Sequence, residues 1–145
     1  MDYLMAAHHE AGHATVTEVL GGTVERVGLE PTPHCIPDVH GMDDLSIAII
    51  CMGGAAGTVM DYGTMGPCET DIVAAQVYTD DHLAALDQAI AILKANRYLF
   101  DRHVALLIKE LGPERAHDEA HICVDTVRKV MENGPQIDNN QGELL

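Results

Sequence analysis

The stretch Ala7-His8-His9-Glu10-Ala11-Gly12-His13-Ala14 decides the reading of the chain. It sits inside residues 2–20, a run of helical composition that stops at Gly21-Gly22, a pair suited to a helix C-terminal cap. On a helix, positions i and i+4 lie one turn apart on the same face, so the imidazoles of His9 and His13 converge on one point. Two imidazoles one turn apart form half of a metal site. Glu10 lies about 100° around the helix from His9, placed to reach a water at that metal without ligating it. Such a spacing suits zinc hydrolysis. Zinc brings the pKa of a water to about 7, and a neighbouring carboxylate can then take the proton while a carbonyl is attacked.

Outward from this segment, residues 24–29 read as a short strand with Val27 and Leu29 on one face, closed by Pro31 and Pro33. Residues 32–42 hold two prolines and a glycine and read as a loop. Asp43-Asp44 opens a helix expected to run to about Tyr62, with acidic side chains at its positive end. Its interior run Gly53-Gly54-Ala55-Ala56-Gly57 is a poor helix former, tolerated where a second helix backbone comes very close. Residues 63–67 read as a turn. Residues 69–111 show almost no helix breaker and are expected to form one long helix, or two separated near 79–82. Gly112-Pro113 ends that stretch, a final helix is expected to about Asn133, and residues 136–145 read as a polar tail. The expected fold class is therefore mainly α with a small β element, in a single domain over residues 1–134 followed by a tail over 135–145.

Composition agrees. Among the 145 residues, 47% are hydrophobic and 3% aromatic, so the core is built from Ala, Ile, Leu, Val and Met. Eight Lys and Arg against 23 Asp and Glu give a net charge of −15, which argues against nucleic acid as the main partner. Residues 1–93 hold one base, Arg26, against 14 acids, and would weakly attract basic peptides. The longest stretch without a charged residue, 45–60, is 16 residues with three glycines, short of the roughly 20 apolar residues that a membrane span needs. Four scattered cysteines (Cys35, Cys51, Cys68, Cys123) lack any Cys-x-x-Cys pair, and Met1-Asp2-Tyr3-Leu4 lacks a signal-peptide pattern. Reduced thiols and a cytoplasmic location are the expectation.

The extended run His-Glu-Ala-Gly-His-Ala resembles the signature of the FtsH family of zinc endopeptidases, membrane-anchored AAA proteases whose C-terminal domain is the peptidase. Three further stretches are similar to that domain in the same order. Val24-Glu25-Arg26-Val27-Gly28-Leu29-Glu30-Pro31 resembles its short strand, and Met52-Gly53-Gly54-Ala55-Ala56-Gly57, running on to Tyr62-Gly63, resembles its glycine helix. Gly66-Pro67-Cys68-Glu69-Thr70-Asp71-Ile72 resembles the segment carrying the third zinc ligand, which falls on Asp71. The resemblance covers roughly residues 5–82. It implies zinc held by His9, His13 and Asp71, Glu10 as the catalytic base, an FtsH-peptidase-like helical fold, an unfolded or flexible polypeptide as substrate, and a homo-oligomer.

The chain also departs from the family. The segment 66–71 is one residue longer, which leaves Glu69 and Cys68 as competing third ligands, and thiolate is a good zinc ligand. Ala55, Thr58 and Val59 replace the family's Arg and two Glu on the glycine helix. No Gly-x-x-x-x-Gly-Lys-Ser/Thr occurs, so a stand-alone, ATP-independent peptidase is expected, with any unfolding of substrate supplied by a separate partner. A second expectation of another class is a non-catalytic, zinc-stabilised adaptor or assembly module derived from such a domain. His117 and His121, four apart with Asp118 between them, form a weaker motif. His34, Cys35 and His40 share one loop without a zinc-module spacing. His8 faces away from the motif and reads as core or surface.

Overall fold

The computed structural model describes residues 2–111. It is mostly helical with one two-stranded antiparallel sheet. The elements run α1 (Tyr3–Val19), β1 (Thr23–Gly28), β2 (His34–Asp38), α2 (Asp44–Cys51), α3 (Gly53–Tyr62), α4 (Glu69–Gln76), α5 (His82–Ala95) and α6 (Arg97–Leu111). The expected final helix to Asn133, the polar tail, Cys123 and the pair His117 and His121 lie outside the described residues.

Helix α1 is the axis of the structure. It packs against α3 and α6 most extensively, and also touches the sheet, α2 and α5. A helix contacted on so many sides needs small or apolar residues almost all round, and Leu4, Ala6, Ala7, Ala11, Gly12, Ala14 and Val16 are buried accordingly. The side chain of Asp2 caps its start by accepting the Met5 N–H at 2.7 Å. Its buried hydroxyls are satisfied one turn back, Thr15 donating to the Ala11 carbonyl and Thr17 to the His13 carbonyl, each at 2.7 Å. Gly21, at φ 92°, takes the left-handed conformation that turns the chain toward the sheet.

Close approach of α1 and α3 depends on glycine. A Cβ on Gly12 would meet the Gly53 carbonyl, a Cβ on Gly57 the His8 carbonyl, and a Cβ on Gly53 would stand 2.9 Å from the Gly12 oxygen and 3.1 Å from the His13 Cα. The glycine-rich run is therefore a docking face for the histidine helix, as its composition suggested.

Three sequence expectations need correction. First, the helix expected over 43–62 is two helices, α2 and α3, bent by 41° about Met52. Paired glycines at 53 and 54 give little helical support at the bend, and seating α3 on α1 redirects the chain there. Second, part of the segment 32–42 is a strand: β2 pairs with β1 in the register Thr23↔Asp38, Val24↔Pro37, Arg26↔Ile36, Val27↔Cys35 and Gly28↔His34. Pro37 is tolerated because it lies on a strand with one edge unpaired among the described residues, beside a register shift between Val24 and Arg26. Third, residues 69–111 form three helices. The break before α5 falls near the expected place, with Asp81 capping the Ala84 N–H at 3.0 Å. A second break at Asn96 was not foreseen; there Asn96 leaves helical geometry at φ −122°, and its side chain donates back to the Ile92 carbonyl at 2.9 Å.

No single helix among the described residues is long and apolar enough to cross a membrane.

Candidate metal centre

His9 and His13 project from one face of α1 toward the first turn of α4, which delivers Asp71. The His9 Nε2 lies 2.8 Å and the His13 Nε2 3.1 Å from the same oxygen, Asp71 Oδ2. The two Nε2 atoms are 3.2 Å apart. Three ligand-type atoms thus form a nearly regular triangle with edges of 2.8–3.2 Å. In a tetrahedral zinc site, bonds of about 2.0–2.1 Å put neighbouring ligand atoms about 3.3 Å apart, so the triangle is only slightly tighter than one face of such a site.

Hydrogen bonding orients the donors. His13 Nδ1 lies 2.8 Å from the Ile50 carbonyl oxygen, an acceptor that requires the proton on Nδ1. The neutral ring then presents a bare lone pair from Nε2 to the triangle. Ile50 occupies the last turn of α2, where its carbonyl also takes the N–H of the cap residue Met52. The unforeseen break between α2 and α3 thus supplies the outer partner that a ligating histidine commonly uses. His9 Nδ1 is buried and makes no hydrogen bond among the described residues.

The centre is largely shielded from solvent, with side-chain exposures of 9% for His9, 11% for His13 and 24% for Asp71. Burial alone would raise the Asp71 carboxyl, but His13 and His9 outweigh it and hold the group well below the usual carboxylate range. Burial disfavours charge on His13 as well; Asp71, Glu10 and the Ile50 carbonyl overcome it and move the ring upward from its ordinary value. Glu10 is 7% exposed, and desolvation lifts its carboxyl above the ordinary value against the opposing pull of His13 and His9.

Position 54 completes the site. The three atoms nearest to a Cβ placed there would all be imidazole atoms, the Nε2 of His9, the Nε2 of His13 and the Cε1 of His9, well inside ordinary van der Waals separation. The space beside the two nitrogens exists because residue 54 has no side chain. Two imidazole nitrogens, one carboxylate oxygen and this cradle fit a divalent ion of the zinc type, and the three residues form a metal-competent group among the described residues.

The sequence-stated ligands His9, His13 and Asp71 are thus brought together, with Glu10 buried alongside on α1. The competing ligands stay outside this group: Cys68 is buried in the hydrophobic core and Glu69 is exposed. His34 and Cys35 lie on β2, with His34 Nδ1 near the Thr32 carbonyl, while His40 is exposed beyond that strand. His8 is buried, its Nδ1 2.8 Å from the Leu4 carbonyl and its Nε2 3.0 Å from Asp61. Sequence reasoning missed the Ile50 carbonyl and the role of Gly54. The Gly53-Gly54 pair carried the signal for both, as a helix breaker and as the mark of close approach.

No protein-family model, curated protein or solved structure matches this chain.

Proposed function

We propose that this chain is a zinc-dependent metallopeptidase of the FtsH peptidase type, with His9, His13 and Asp71 as ligands and Glu10 as the acid–base residue. The observation that carries the reading is the meeting of His9 Nε2, His13 Nε2 and Asp71 Oδ2 within 3.2 Å of one another, from two helices far apart in sequence. Two imidazoles and one carboxylate are the donor set of a catalytic zinc site, which leaves a position for a non-protein ligand. Zinc held there would supply Lewis acidity to polarise a peptide carbonyl and acidify a water.

The chain's own residues account for the remaining steps. Glu10, next to His9 and rotated off the ligand face, accepts a proton as the water oxygen bonds to the carbonyl carbon. It returns that proton to the amine nitrogen as the carbon–nitrogen bond breaks, so one carboxyl serves as base and then as acid. The Ile50 carbonyl holds the His13 ring in place through Nδ1. An extended, flexible polypeptide is the proposed substrate.

Glu10→Gln keeps the size and hydrogen-bonding capacity of the side chain but cannot shuttle the proton. The variant is expected to keep one zinc per chain while cleavage of casein falls by at least about 100-fold. Wild-type turnover in the zinc-loaded variant would remove the mechanism. The second reading, a zinc-stabilised binding module without catalysis, is favoured by the buried Ala55 and Thr58 where the family carries charge. It predicts zinc uptake with no chelator-sensitive cleavage in the wild type.

A further inference from the structure

Four glycines line the contact of α1 with α3, and they do not share one role. Around Gly12, Gly53 and Gly57, the nearest atoms to an added Cβ are all backbone: the Gly53 carbonyl and Gly57 Cα for Gly12, the Gly12 carbonyl and His13 Cα for Gly53, the His8 carbonyl and Gly12 Cα for Gly57. Backbone in a packed helix pair cannot step aside, so these three glycines set how closely the helices approach. At Gly54 the neighbours are of another kind, the far ends of two side chains, His9 and His13.

We infer that Gly54 is a positioning residue for the metal, kept without a side chain to leave volume at the two Nε2 atoms rather than to let the helices meet. The inference rests on the metal reading above and deepens it. A methyl at 54 would occupy space against both nitrogens, turn the rings aside and separate them from Asp71 Oδ2. The α1–α3 backbone contact is expected to survive, because the three atoms that methyl meets first are side-chain ends, unlike the backbone met first at 12, 53 and 57. Within an otherwise helical segment the same methyl favours the helix, since alanine loses less backbone freedom than glycine. Position 54 therefore separates metal binding from folding, which position 57 cannot do.

The test compares Gly54→Ala with Gly57→Ala, each in the wild-type chain and in a His9→Ala/His13→Ala background. Thermal unfolding is followed on metal-free protein, and zinc binding by calorimetry. Gly54→Ala is expected to weaken zinc binding by about 100-fold or more, at least the loss usual when a ligand's supporting contacts are removed, while the metal-free protein still unfolds cooperatively. In the background lacking both rings, Gly54→Ala is expected to leave the melting temperature unchanged or raise it. Gly57→Ala is expected to lower it in both backgrounds. Wild-type zinc affinity in Gly54→Ala overturns the inference and leaves the metal reading standing. So does an equal fall in melting temperature for Gly54→Ala with and without the two rings, since that assigns residue 54 to helix packing. A wild-type protein that takes up no zinc overturns both readings.

Discussion

The two ring nitrogens of His13 face two different elements, and that division fixes its tautomer. Nδ1 is committed to the Ile50 carbonyl of α2, so Nε2 of the neutral ring points its lone pair at Asp71 Oδ2 and His9 Nε2, whereas in the charged ring it donates to Asp71 Oδ2. With a neutral ring, such a cluster of lone pairs about 3 Å apart is repulsive unless a proton or a cation sits among them, and the carboxylate of Asp71 stabilises either. The third ligand separates this account from its competitors. Asp71→Ala is expected to cost more than about 100-fold in zinc affinity, exceeding the 10–100-fold typical of outer partners. Glu69→Ala and Cys68→Ser are expected to leave affinity within a few-fold of wild type. Calorimetric titration of the three variants checks this, and a large loss confined to Glu69→Ala or Cys68→Ser would reassign the ligand.

Among the elements, α6 carries the single phenylalanine of the chain and the main support for the back of α1. Phe100 is fully buried, stands edge-on to His8 with ring centroids 5.9 Å apart, and has the Arg97 guanidinium 5.5 Å from its ring centre. Phe100→Ala is expected to destabilise the metal-free protein by about 3–5 kcal/mol, measured by urea unfolding; a loss below about 1 kcal/mol would show that α6 is not integral to the core. Element boundaries also show what could be read in advance. Motif spacing was enough to place His9, Glu10 and His13 on α1, because i and i+4 adjacency is a local property of the helix. Asp71 came from the resemblance, since nothing local to residues 66–72 brings that segment to α1. Strand β2 was hidden because Pro37 and Gly41 speak for a loop, whereas its extended state depends on pairing with β1 across the connection 29–33. The bend at Met52 combines the weak helical support of Gly53-Gly54 with the seating of α3 on α1, while Asn96 interrupts a segment of otherwise helical composition. The glycine run announced close contact, yet only the three-dimensional arrangement distinguishes Gly54 from Gly53 and Gly57.

For the molecule as a whole, a second polar group, apart from the candidate metal site, ties the helices together. His8 Nε2 faces Asp61 Oδ2 at 3.0 Å, Arg97 donates to Asp61 Oδ1 at 2.7 Å, and Arg97 Nε is 3.0 Å from Asp101, linking α1, α3 and α6. Burial works to raise Asp61, but His8 and Arg97 prevail and hold its carboxyl below the ordinary value. A depressed folded-state value means the stabilisation is present above the unfolded aspartate pKa of about 3.9 and is lost as pH falls through the folded value. Asp61→Asn should therefore be less stable than wild type by on the order of 1 kcal/mol near pH 6, after screening by solvent at this half-exposed pair, and the gap should close below about pH 4. Denaturant titrations at the two pH values decide it; a gap independent of pH would assign the loss to packing. The central claim is that two imidazoles of α1 and one carboxylate of α4 share a divalent ion. A structure of the protein purified without chelator, with anomalous diffraction recorded at the zinc edge, tests it most directly. One zinc per chain bonded to His9 Nε2, His13 Nε2 and an Asp71 oxygen, with no fourth protein atom, is the expected result. An empty triangle with Asp71 simply hydrogen-bonded to protonated histidines, or a zinc enclosed by four protein donors, would contradict it.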